Sequence, residues 1–163
     1  DVAEWPEAFL DTIDFRVTRT YLTGMTRFYS GDAETAQPLL LETKQDFEIL
    51  LNATPNNYPI LRTLCLATGA LEDLASARRS CEKSLAAAPK DAFLAGYFRF
   101  EAAAGLALAG DAQASIALLK SMLDGEAGPS MYQVIYHPAF DGIRQDPAYI
   151  ELLENYSPEN YQP

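Results

Sequence analysis

The sequence predicts an all-α chain, built as helical hairpins in series and closed by short helices at its C-terminal end. Three observations carry that prediction. Apolar residues recur at helical spacing along most of the chain, with little alternation of period two. Pro55 and Pro89 stand 34 residues apart, each after a helix-forming run and before a fresh apolar stretch. Gly31-Asp32 and Gly110-Asp111 each separate two helical patterns, and Glu72-Asp73 takes the same place between them, shortly after Gly69.

The elements follow in order. Over 15–29, Val17, Tyr21, Gly24, Met25 and Phe28 fall on one helix face. Over 33–52, Ala36, Leu40, Thr43, Phe47, Leu50 and Leu51 do the same. Pro38 lies inside that run, where it removes a backbone donor and crowds the carbonyl four residues back. A bent first turn, or a helix beginning near Pro38, is therefore expected. Ile60, Leu61, Leu64 and Cys65 form a stripe in 58–68, facing Leu74, Ala77, Cys81, Ser84 and Leu85 in 73–87. The helix capped by Asp91 runs to about Ala109 and is apolar on two sides, which marks it as sandwiched between neighbours. Its partner, 112–124, presents Ile116, Leu119 and Leu123.

The hairpins are thus placed at 15–53, 57–88 and 91–124, with an acidic N-terminal segment at 1–14 and a cap at 130–156, all in one domain, 1–163. A two-helix unit has a face that it does not bury alone, so the units are expected to stack as an α-solenoid with a continuous core. The cap repeats a phrase: His137-Pro138-Ala139-Phe140 is echoed by Asp146-Pro147-Ala148-Tyr149. Proline at the first helical position costs no hydrogen bond, and Asp146 suits the positive end of the helix behind it. Phe140 with Ile143, and Tyr149 with Leu152 and Leu153, give two small apolar faces that would seal the last hairpin.

Charge is uneven. The chain of 163 residues carries a formal −11, with 23 acids against 12 bases. The acids concentrate at the two ends, and the middle is neutral. That distribution lacks the clustered Lys and Arg of a phosphate-backbone binder, so no nucleic acid is expected on this chain. No apolar run reaches the roughly 18 residues of a membrane span. The opening "DVAEWPEAF" has no basic region and no apolar stretch, and reads as an internal or processed piece.

Catalytic chemistry finds little footing. His137 is the single histidine, so neither a two-histidine metal motif nor a triad is supported, and a half-buried helix-entry role is expected for it. No glycine-rich phosphate loop occurs, and Asp124-Gly125-Glu126 is too sparse for a calcium loop. No catalytic residue, metal or cofactor is expected. Glu101 and Arg99, on the most apolar helix, are read as a solvent or interface edge. Cys65 and Cys81 are placed about one turn out of level across their hairpin; with helices roughly 8–10 Å apart they fall beyond the ~7 Å bridging limit, so two reduced core thiols are expected.

The hairpins resemble the tetratricopeptide repeat family. In the middle unit its small positions fall on Ala77 and Ser84 and its terminal proline on Pro89, with Cys81 where the family has an aromatic. In the first unit Gly24, Gly31-Asp32 and Ala36 match; in the third, Gly110-Asp111 matches and Ser115 replaces an alanine. The early aromatic is missing in the first two units, and the third lacks the closing proline. The stretch from "LALAGDAQASIALLKSML" to "HPAFDGIRQDPAYIELL" is similar to the end of repeat regions in bacterial multidomain regulatory proteins with a winged-helix, cyclase or kinase head, sometimes with a TolB-like segment.

The resemblance implies a non-catalytic interaction or scaffold module, holding a protein or peptide partner, or a second copy of itself, on the side lined by its first helices. Mapped by position, that lining comprises Tyr21, Met25, Phe28, Arg62, Leu66, Tyr97 and Phe100. Aromatics with an arginine are the composition of interface hot spots, although the same residues also suit a core. The alternative is a small-ligand or peptide sensor with its pocket between the first helices. The compartment stays open between cytoplasm and periplasm.

Overall fold

The computed structural model describes residues 13–125 and 127–156, with side chains from residue 18. The described residues hold eight α-helices and one 3-10 helix and no strand. They are α1 (Ile13–Tyr29), α2 (Ala33–Ala53), α3 (Tyr58–Ala70), α4 (Leu74–Ala86), α5 (Ala92–Leu108), α6 (Ala112–Leu123), α7 (Met131–Tyr136), the 3-10 helix (Pro138–Ile143) and α8 (Pro147–Asn155). The acidic segment 1–14 lies almost wholly outside the described residues.

Three helix pairs dominate the packing: α1 with α2, α3 with α4, and α5 with α6. Between pairs, α3 lies on α5, α2 on α3, and α4 on α5. One turn joins each pair, built three times in the same way. Gly31, Glu72 and Gly110 adopt φ of 81°, 56° and 84°. The amide of the next residue then reaches back five positions: Asp32 to Arg27, Asp73 to Thr68, and Asp111 to Leu106, at 3.0, 3.2 and 2.8 Å. These are Schellman closures, which satisfy carbonyls that a helix end would leave orphaned. Each of the three aspartates also caps the helix that follows, its carboxylate accepting from Thr35, Ser76 or Ala114 N–H.

Of the two outcomes expected at Pro38, a helix beginning there is not seen, because α2 starts at Ala33 and runs through the proline. Proline removes only the bond to the carbonyl of Glu34, and both residues are exposed in the first turns of the helix, where water serves that carbonyl.

The larger correction concerns the cysteines. Cys65 and Cys81 are joined by a disulfide, with their Cα atoms 4.6 Å apart, and are not two free thiols. The expected offset placed Cys65 level with residues near Ala77. The turn through Glu72 and Asp73 shifts the register by about one helical turn, so that Cys65 faces Cys81 and the Thr68 hydroxyl meets Ser80 Oγ at 2.9 Å. Small side chains, Ala77, Ser80 and Ser84 among them, are buried along this seam and let the two helices approach closely.

At the C-terminal end the 3-10 helix packs on α5 and α8 on α6. The phrase beginning at Pro138 forms a 3-10 helix, with His137 Nδ1 accepting from Ala139 N–H at 3.2 Å. Asp146 caps α8 through Ala148 N–H at 2.8 Å. Phe140, Ile143, Tyr149 and Leu152 are all buried in one cluster with Phe100, Ala104 and Leu119.

Candidate partner-binding face

The first helices, α1, α3 and α5, bring together the side chains that the sequence singled out, and do so unevenly. Met25 and Phe100 are buried. Met25 packs with Ala36, Leu40 and Ala67, and Phe100 packs with Phe140 of the cap at 5.6 Å between ring centroids. Tyr21, Phe28, Arg62, Leu66 and Tyr97 are half-buried. Tyr21 rests against Phe47 at 6.4 Å, and Tyr97 against the exposed ring of Phe93 at 4.9 Å.

At the centre Arg62 Nε stands 2.8 Å from Glu101 Oε2, joining α3 to α5. The contact lies off the N–H axis, so Oε2 gains a counter-charge without a hydrogen bond. Burial pushes the Glu101 carboxyl above its ordinary range, and the guanidinium opposes that shift. Tyr21 is raised too, first by burial, then by Tyr29 and Glu101. Arg62 also lies over the Phe98 ring at 6.0 Å. Arg62 and Leu66 are four residues apart, as are Tyr97 and Glu101, so each pair shares one helix face.

Sequence reasoning took Glu101 for an edge and passed over Tyr29, while His137 takes the half-buried, helix-entry place expected of it. The His137 ring stands edge-on to Tyr29 at 6.1 Å and to Phe100 at 5.2 Å, linking α1, α5 and the cap. Burial lowers the imidazole pKa, with Asp141 pulling the other way. Burial likewise raises Tyr29 to about 12. The signal for Tyr29 was weak, since it sits one position beyond the apolar stripe that ends at Phe28. Beside this region Tyr132 and Tyr136 of α7 stack in parallel at 6.5 Å and are exposed, Tyr136 to 73 %.

Two clefts border the second helices. One of about 580 Å³ runs between α4 and α6, over Leu85, Leu106, Ala114 and Leu118, with Arg78 and Asp111 at its edge. Another, of about 450 Å³, is bordered by Glu48 and Asn52 of α2 and by Arg79 and Lys83 of α4. Both open to solvent. Among the described residues, no three His, Cys, Asp or Glu side chains are grouped to hold a metal ion, and no helix is long and apolar enough to cross a membrane. No family model, no curated protein and no solved structure matches the chain.

Proposed function

We propose that this chain is a non-catalytic protein-interaction module, a tetratricopeptide-like solenoid of three hairpins with a C-terminal cap, which holds a peptide segment of a partner against α1, α3 and α5. The observation that carries the reading is the composition of that face. Half-buried Tyr21, Phe28, Leu66 and Tyr97 share the first helices with the Arg62–Glu101 pair, on helices whose backbones are held from behind by a packed core. Rigid aromatics, and an arginine already held by Glu101, lose little further conformational freedom when a partner covers them. The threefold recurrence of one turn geometry supports the repeat, and the ending phrase supports an origin within a larger bacterial regulatory protein.

Peptide display against the purified chain tests the reading. Selected peptides should lose about tenfold or more in affinity against Tyr97→Ala with thermal stability kept, and against Arg62→Ala when Glu101→Gln accompanies it so that no half-buried carboxylate loses its counter-charge. Peptides that bind both variants as tightly as the parent, or a display that yields none, would count against it. The alternative, a small-ligand sensor, would instead be supported by one metabolite raising the melting temperature in a dose-dependent way.

A further inference from the structure

We infer that the Cys65–Cys81 disulfide is a structural staple, and that it makes the stability of this chain conditional on an oxidising compartment. The two residues lie 16 apart and clamp α3 to α4 across their turn. Each is only 1 % exposed, with Cys81 on the floor of the cleft between α4 and α6, so little of the bond is presented for exchange with other thiols.

Its position reaches beyond one hairpin. Cys65 Sγ lies against the backbone of α5, where a β-carbon on Gly105 would come within 2.7 Å of it. Ala102 and Leu106 of α5 and Leu85 of α4 complete its surroundings, with Leu118 of α6 packed against them. The bonded sulfurs are therefore part of the surface on which the third helix pair docks, and the register of α3 on α4 is carried into the seam with α5.

A buried pair of this kind forms while the chain is still open. Cys65 as thiolate attacks a disulfide of an oxidant of the disulfide class, releasing one of its sulfurs as a thiol. Cys81 as thiolate then displaces the second and leaves Cys65–Cys81 bonded. Two protons and two electrons leave the cysteine pair, and the oxidant departs as two thiols. Compartments that supply such an oxidant are extracytoplasmic, whereas thiol pools keep cysteines reduced in the cytosol. The staple thus assigns the chain to an exported or extracytoplasmic setting, a choice that composition and hydropathy left open.

The test uses the whole 163-residue chain, exported to a bacterial periplasm in one preparation and retained in a reducing cytosol in the other. Alkylation in denaturant, with and without prior reduction, counts free thiols by mass. The exported chain should take up no label until it is reduced in denaturant, and native reduction should be slow. The dithiol chain should melt about 6–12 °C lower, from the loop-closure effect of a bridge of this span and the size of the domain. Refolding from denaturant in the presence of glutathione disulfide should restore the higher value. Comparison of the two redox forms of one sequence avoids the cavity that Cys65→Ala with Cys81→Ala would open. Two free thiols in the exported chain would overturn the inference, as would a dithiol chain that melts with the disulfide form.

Discussion

Gly69 of α3 and Gly105 of α5 meet backbone to backbone. A β-carbon on Gly69 would press into the peptide unit of Gly105, within 2.9 Å of both its Cα and its carbonyl carbon. Helix pairs two and three therefore approach as closely as their main chains allow. Alanine ordinarily improves a helix over glycine by about 1 kcal/mol. At Gly69 the new methyl has no flexible neighbour to displace, so the seam has to open. Gly69→Ala should lose about 2 kcal/mol net in urea unfolding, since overpacking typically costs 1–3 kcal/mol and more against a backbone. Gly142→Ala is the control, because a β-carbon there meets nothing within 4 Å; it should be neutral or slightly stabilising.

Glu72 occupies, with φ of 56°, the position that Gly31 and Gly110 fill in the other two turns. A left-handed conformation costs a side-chain-bearing residue about 1–2 kcal/mol, and glycine adopts it freely. Glu72 is exposed and enters no ion pair within 4 Å among the described residues. Glu72→Gly should therefore raise stability by about 1 kcal/mol, with part of the gain cancelled by the extra freedom of glycine in the unfolded chain. A lower midpoint in chemical denaturation would mean that the glutamate itself supports the turn.

How much of this was legible in the sequence depends on the scale of the question. Helix faces and caps were legible because they repeat locally: Asp91 before Phe93, Gly-Asp before Ala36, Asp146-Pro147 before Tyr149. Register between helices was not. It turned on the single left-handed residue Glu72, which no glycine announced, and an error of one turn there turned a disulfide into two thiols. The face was half legible for a related reason. Periodicity placed Arg62, Leu66 and Tyr97 on the first helices, but the proximity of Glu101 to Arg62, and of His137 to Tyr29, depends on how separate pairs pack. Met25 and Phe100 shared that periodicity yet went to the core, because the cap covers Phe100 and α2 covers Met25.

Arg78 Nε lies 2.6 Å from Asp111 Oδ2, tying α4 to the cap of α6. Asp111 is 8 % exposed and its other oxygen accepts from Ala114 N–H. The hydrogen bond from Arg78, then that from Ala114, hold its carboxyl below the ordinary 3.8, against the opposing effect of burial. A native pKa below the unfolded one means that the unfolded chain binds the proton more readily. The stabilisation is complete above the ordinary carboxylate value and is lost as pH falls through the lowered native one. Asp111→Ala should cost about 1 kcal/mol near neutrality, within the range for a lost aspartate cap. Its deficit relative to the parent should shrink in acid. A deficit that stays constant from neutral pH to pH 2 would refute the linkage.

Ser115 lies in α6, and its hydroxyl, fully buried, has no hydrogen-bond partner among the described residues. An unpaired buried hydroxyl costs about 1–3 kcal/mol, and alanine is the better helix former. Ser115→Ala should raise the melting temperature by about 2–4 °C per kcal/mol recovered, at a domain of this size. A fall of similar size would show that the hydroxyl is satisfied in solution.

Tyr149 tests the seal. Its ring is wholly buried, and its hydroxyl donates to the carbonyl of Val134 in α7 at 2.9 Å, so α8 is fastened to the segment that precedes it. Tyr149→Phe keeps the ring contacts with Phe140 and removes only that bond, leaving a buried carbonyl without this donor; the cost should be about 1–2 kcal/mol. Tyr149→Ala also loses the ring and should cost about 3–5 kcal/mol. Because α8 touches the body mainly through α6, the loss should be felt first at the end of the stack. Hydrogen exchange in the phenylalanine variant should accelerate in α7, the 3-10 helix and α8 while α3 and α4 stay protected by their disulfide. Uniform acceleration through all helices would instead show that the cap and the hairpins unfold as one unit, and that the tyrosine holds the whole stack rather than its end.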